Sequence, residues 1–156
     1  MESRVLFRAV YEDFEAEPIP SRSAKGRFHV RALGISYLAG SPTTAWREVT
    51  ARWGADPAAF VMVEIEVTLK DVLDLTDPAV HSALGITEAE LVATDYDACQ
   101  KLAERLGPDG PEAIWTYSAA DQPDGRQLVV FLDRLRSGSS IRIVSIRPIG
   151  HYIPMP

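Results

Sequence analysis

Cysteine is nearly missing from this chain. Its 156 residues hold one, Cys99, so no disulfide can close within it, and the expected compartment is the reducing cytoplasm. Histidine is scarce as well. His29, His81 and His151 are scattered, with no carboxylate or cysteine at ligand spacing, and surface or capping roles suit them better than a metal. No apolar run approaches the roughly 20 residues of a membrane-spanning helix, because Phe60–Val63 is stopped by Glu64 and Glu66. The opening Met-Glu-Ser-Arg-Val-Leu-Phe-Arg lacks the apolar stretch of a secretory signal. Basic charge is in deficit: 16 Lys+Arg against 22 Asp+Glu leave a formal charge of −6, with no basic patch suited to nucleic acid. Gly-x-Gly-x-x-Gly, the phosphate-binding P-loop, His-Glu-x-x-His and Gly-x-Ser-x-Gly are all lacking.

What is there reads as an ordinary soluble domain. Hydrophobic residues make up 46% and charged ones 24%, and the length is that of one domain, 1–156, large enough for a core without staples. Val5–Val10 reads as a strand, followed by an acidic loop through Glu12, Asp13, Glu15, Glu17 and Pro18, then a polar stretch, Ser21–Lys25. Arg27–Val30 and Ile35–Leu38 read as short strands. Ser41-Pro42 starts a helix, with Ser as cap and Pro at the first helical position; it carries Ala45, Trp46, Val49 and Trp53 and stops at Gly54. Val63, Ile65, Val67 and Leu69 alternate with polar residues, the period of a half-buried strand.

Asp77-Pro78 and Thr87-Glu88 are further helix starts. Tyr96, Cys99, Leu102, Ala103 and Leu106 share one helical face, ended by Gly107 and Pro108. Ala113–Tyr117 and Gln127–Leu132 read as strands joined through Pro123-Asp124-Gly125, and Ser140–Ile146 as a last strand. Strands at both ends with helices between them predict an α+β fold: a mixed or mainly antiparallel sheet with flanking helices.

One segment is more specific. Gly26-Arg27-Phe28-His29 leads through Gly34-Ile35-Ser36-Tyr37 to Ser41-Pro42-Thr43-Thr44-Ala45-Trp46-Arg47-Glu48. Further on come Asp95-Tyr96-Asp97 with Gln100, then Glu112-Ala113-Ile114-Trp115-Thr116-Tyr117-Ser118, then Gly125 and Leu128–Phe131. With the early Phe7-Arg8, this ordered set resembles the RES domain, the toxin half of RES–Xre toxin–antitoxin pairs, named for an Arg, a Glu and a Ser. The likeness runs from about residue 5 to about 146. Phe28 and His29 stand where the family usually has Trp or Tyr and then Asn, and Tyr117 where it often has Pro.

The resemblance implies a fold related to ADP-ribosyltransferases and a toxin that consumes NAD+, with no metal and no cofactor beyond that substrate. The residue types suit the reaction. Nicotinamide in NAD+ is already a cationic pyridinium and leaves neutral, so no acid is needed to protonate it, unlike an ordinary glycoside. What remains is an oxocarbenium-like ribose to stabilise, and one carboxylate can do that. Glu48 is the candidate catalytic residue; its plainer account is a solvated glutamate in the first turns of a helix.

Arg27 suits the diphosphate through two parallel charge-assisted bonds, against an ion pair with the acidic loop at 12–17. Arg8 is a second phosphate candidate. Tyr37 would stack on the nicotinamide, or simply pack in its strand. Ser118 would bond a ribose or phosphate oxygen, or cap a turn.

The leading reading is cleavage of the nicotinamide–ribose bond with water or phosphate as acceptor. A protein ADP-ribosyltransferase using the same site, and a non-catalytic NAD- or partner-binding module, are the alternatives. The family likeness also implies a partner, an antitoxin with an Xre-type helix-turn-helix domain that would make any DNA contact itself.

Overall fold

The computed structural model describes residues 3–20, 26–29, 34–53 and 56–154, the side chains of Arg52 and Trp53 excepted. The expected polar stretch Ser21–Lys25 and the helix stop at Gly54 lie outside the described residues. Among the described residues seven strands form one sheet: β1 (Arg4–Tyr11), β2 (Ile35–Ala39), β3 (Phe60–Thr68), β4 (Val72–Asp74), β5 (Ala113–Tyr117), β6 (Arg126–Phe131) and β7 (Ser140–Pro148). Four α-helices accompany them among the described residues: α1 (Pro42–Trp53), α2 (Pro78–Leu84), α3 (Glu88–Leu91) and α4 (Asp97–Leu106). The strand order is β4-β5-β6-β2-β1-β3-β7. Every neighbouring pair is antiparallel except β4 and β5, so the sheet is mixed and mainly antiparallel and the fold is α+β. Among the described residues no helix is long and apolar enough to cross a membrane.

The period-two reading of β3 is realised: Val63, Ile65 and Val67 are buried, while Glu64 and Glu66 are partly exposed. Residues paired across strands share a sheet face, and the two faces build separate cores. On one, α4 sets Cys99, Leu102 and Ala103 against Ile35, Ile114, Val129 and Phe131, and α1 sets Ala45 and Val49 against Ala9, Ala39 and Met62. On the other, Leu6, Val63, Ile65 and Val67 from β1 and β3 cluster with Leu38, Leu128 and Val130 from β2 and β6. Each such buried aliphatic side chain is worth about 1.5–3 kcal/mol against exposure.

Among the described residues of the expected strand Arg27–Val30 no strand forms. Arg27 and Phe28 form a turn, closed by the His29 N–H donating to Gly26 O at 3.1 Å; Val30 lies outside the described residues. The cause is Tyr37. Its hydroxyl accepts the Phe28 N–H at 3.0 Å and bonds His29 Nδ1 at 2.9 Å, so a side chain takes backbone and ring groups that a strand would have left to a ladder. Gly26 is required there, since an added Cβ would lie 2.3 Å from Tyr37 Oη. Conversely β4, three residues parallel to β5, carries no strand pattern of its own.

Among the described residues β1 and β2 share one registered pair, Phe7 with Ala39, whereas β1 and β3 are registered from Arg4↔Val67 to Tyr11↔Phe60. The sheet therefore parts where β1 meets β2. A cavity lies at that parting.

Candidate active site

The cavity holds about 790 Å³ and lies between α1 on one side and the 92–96 segment with Arg27 on the other. Phe7 and Ala9 of β1, Tyr37 and Ala39 of β2 and Gln127 of β6 reach its floor. Alanines at 39, 45, 119 and 120 line it, and their small side chains are one reason the space stays open.

Glu48 enters from α1. Ser41 caps that helix, its Oγ accepting the Thr44 N–H at 3.1 Å, and Pro42 follows at the first helical position. Thr44, Arg47 and Glu48 stand at i, i+3 and i+4, hence on one helix face. All three grip the loop after β5. Glu48 Oε1 accepts a hydrogen bond from Ser118 Oγ; Thr44 Oγ1 donates to Asp121 Oδ2 at 2.7 Å; Arg47 pairs with Asp121 Oδ1. The Thr44 hydroxyl, helped by Arg47, holds the Asp121 carboxyl below the usual carboxylate range. Gly125 lets the loop close on itself, because an added Cβ would meet Asp121 O at 2.4 Å. Glu48 is thus tethered to the neighbouring strand end and faces the cavity, unlike a solvated helix glutamate.

Ser118 is fully buried, and its hydroxyl hydrogen is committed to Glu48. It stands behind the carboxylate and not on the cavity wall, whereas the sequence reading aimed it at a ribose or phosphate oxygen.

Arg27 lines the opposite side at 7% exposure. One guanidinium N–H donates to Ala93 O, and the group lies 4.4 Å over the Tyr96 ring. Among the described residues it forms no ion pair; the pairs present are Arg47–Asp121, Lys101–Asp97, Arg136–Asp71 and Arg142–Glu66. A buried cation with no counter-charge beside it is costly unless an anion arrives to face it. Arg8 reaches the same cavity from β1, donating to Tyr37 O at 3.0 Å and to Pro20 O at 3.4 Å. Tyr37 lines it too, its ring stacked on His29 with centroids 5.5 Å apart. Arg8, Arg27, Tyr37 and Glu48 therefore share one cavity, with Ser118 bonded to Glu48 behind it.

Sequence reasoning passed over Gln127 and the ring of Tyr96 as cavity residues. A signal existed for the first: Gln127 is the polar residue directly before the apolar run Leu128–Phe131. None marked Tyr96, which the helical period assigned to core. Trp46 is half-buried with its ring edge-on to Phe60 at 5.6 Å; the Trp53 side chain lies outside the described residues.

Among the described residues no three His, Cys, Asp or Glu gather as metal ligands. His81 meets Leu75 O and His151 meets Arg147 Nη1 at 2.7 Å. Cys99 is buried in the α4 core, donating to Glu90 O at 3.6 Å, and burial pushes its thiol up against the opposing pull of Arg27.

Comparison with known proteins gives this arrangement relatives. The chain is 31% identical over 116 residues to a probable NAD(+) phosphorylase of Mycobacterium tuberculosis, a match covering 70% of this chain and 55% of that protein. The chain thus spans about half the length of that relative. Its fold matches a chain of the crystal structure of the M. tuberculosis MbcT–MbcA toxin–antitoxin complex, with TM-score 0.75 and 23% identity, over 93% of this chain and 83% of that one. The RES domain model matches residues 3–153, the span that brings Arg27 and Glu48 to one cavity with Ser118 bonded behind Glu48, and the chain belongs to the RES domain family.

Proposed function

We propose that this protein degrades NAD+ by breaking the bond between nicotinamide and ribose, with inorganic phosphate as the acceptor and water as the slower substitute. One observation carries the reading: a tethered carboxylate, Glu48, and a buried guanidinium, Arg27, that forms no ion pair among the described residues face one cavity large enough for a dinucleotide. The relative's name, an NAD(+) phosphorylase, supports phosphate over water.

In the proposed mechanism Arg27, with Arg8 beside it, holds the diphosphate, and the Tyr37 ring lies along the nicotinamide. The C1′–N1 bond breaks, and its electron pair neutralises the pyridinium as nicotinamide leaves. Glu48 faces the positive charge that develops on the ribose. The Ser118 hydroxyl fixes the orientation of that carboxylate, so little reorganisation is needed as the charge appears. A phosphate oxygen then bonds to C1′, giving ADP-ribose phosphate; with water, ADP-ribose forms and one proton is released.

The same reading makes the protein a toxin acting on cytoplasmic NAD+, restrained by an antitoxin with an Xre-type helix-turn-helix domain that covers the cavity and makes any DNA contact. The toxin–antitoxin fold neighbour supports it. Purified protein incubated with NAD+, with and without phosphate, tests the activity by product mass. Nicotinamide with ADP-ribose phosphate is expected. ADP-ribose retained on protein would favour the ADP-ribosyltransferase alternative, and NAD+ bound but intact would favour the binding module.

A further inference from the structure

Gln127 is 6% exposed, yet its side chain lines the cavity and makes no hydrogen bond to any described residue. Its amide faces the cavity with a donor and an acceptor that no described residue takes up. Directly across the β5–β6 ladder stands Thr116, whose Oγ1 is buried with no partner among the described residues. Gln127 is the part of this polar corner that lines the cavity, so an incoming group can bond its amide.

The corner has an address. Thr116 and Ser118 lie on one face of their strand, two residues and about 7 Å apart, and Ser118 holds Glu48. Gln127 pairs with Thr116 on one side and Ala39 on the other, so it stands at the Glu48 end of the cavity, away from Arg27 at the 92–96 segment. On the proposed NAD+ reading, which this inference rests on, the Glu48 end is where the leaving group sits. We propose that Gln127 recognises the carboxamide of nicotinamide. Two primary amides complement each other in a plane: Gln127 Nε2–H donates to the carboxamide oxygen, and the carboxamide N–H donates to Gln127 Oε1. The small side chains of Ala39 and Ala119 leave room for a flat ring beside it.

The test compares NAD+ with its deamido analogue, in which nicotinic acid replaces nicotinamide. A carboxylate offers acceptors alone and sets negative charge against Gln127 Oε1. Wild-type protein should prefer NAD+ by about 100-fold in kcat/KM, the scale of a bidentate pair made or lost. Gln127→Met keeps length and removes both polar groups, so NAD+ turnover should fall while the analogue is spared and the preference collapses toward unity. Gln127→Glu keeps the shape and the facing acceptor, loses the donor and repels the analogue further; NAD+ kcat/KM should fall about tenfold while the preference widens.

Wild-type protein that cleaves both dinucleotides equally well overturns the inference without touching the NAD+ reading. So does a folded Gln127→Met protein that keeps the wild-type preference, or a Gln127→Glu protein unchanged in both rate and preference. Wild-type protein that cleaves neither dinucleotide defeats the proposed function itself.

Discussion

Glu48 and Arg27 face one cavity with opposite charges, and they should fail differently. Glu48→Gln preserves shape and can still accept the Ser118 hydrogen bond, but it removes the charge that opposes the developing cation. Turnover of NAD+ should fall by about 100-fold or more, with affinity changed little. Arg27→Ala should weaken binding as its main symptom, because the ground-state diphosphate is already charged. Turnover and calorimetric affinity on both folded variants read the split; near-normal turnover in Glu48→Gln would remove it from the chemistry. Glu112 matters for a different reason. It is fully buried, and its carboxylate accepts the N–H groups of Lys70 at 2.7 Å, Asp71 at 3.0 Å and Arg136 at 2.7 Å, joining the turn after β3 to the segment before β7. Burial alone would push this carboxyl up, but those hydrogen bonds, the Arg136 N–H first, outweigh it and hold it low. Its stabilisation is therefore complete above the unfolded glutamate pKa of about 4.3 and is lost as pH falls through the lower folded value. Glu112→Gln should cost about 3 kcal/mol at neutral pH. Melts as a function of pH should show the gap between variant and wild type constant down to about pH 5 and closing below about pH 4.

α1 acts as a clamp as well as a scaffold for Glu48. Three of its residues hold the loop from Ser118 to Gly125, so the catalytic candidate and its hydrogen-bond donor are kept in register by contacts one turn away. Thr44→Val keeps the branched shape and removes the hydroxyl that Asp121 Oδ2 accepts from. A loss of about 1–2 kcal/mol in stability is expected, with a roughly tenfold fall in kcat and little change in affinity for NAD+, since a small displacement of an aligned group costs rate more than binding. Equal falls in kcat and affinity would show instead that the loop shapes the binding surface. The helix itself was readable in the sequence because Ser41-Pro42 is a local signal, and α4 because its period is regular. The 118–125 loop was readable as a turn through Pro123-Asp124-Gly125. That it would reach α1 was not, because Asp121 and Thr44 are 77 residues apart and ordinary in type. The strand expected at Arg27–Val30 failed for the same reason: a tertiary partner, the Tyr37 hydroxyl, decided the local backbone.

For the whole molecule, the α+β class and most strands followed from periodicity, since alternation survives whatever the strand order. The order itself, with β2 between β6 and β1, depends on contacts among distant residues and carries no local mark. The Arg, Tyr and Glu positions singled out by family likeness line the cavity, with Ser118 behind Glu48, whereas Gln127 became visible as a cavity residue only in the folded chain. Overall charge bears on association: a −6 chain favours a basic partner at long range, an effect that added salt weakens.

The single registered pair between β1 and β2 among the described residues means that the two banks of the sheet are joined weakly at its middle, with Arg8 reaching from one bank to the Tyr37 carbonyl on the other. A dinucleotide lying in the cavity would touch both banks at once and serve as a splice across the gap. Hydrogen exchange with and without NAD+, using the Glu48→Gln protein to keep the substrate intact, should show new protection concentrated in residues 4–11 and 35–39, and little at β7. Exchange slowed evenly across the chain would mean that the banks already move as one. With the splice in place, the substrate is a temporary structural member of the fold, and each turnover removes it.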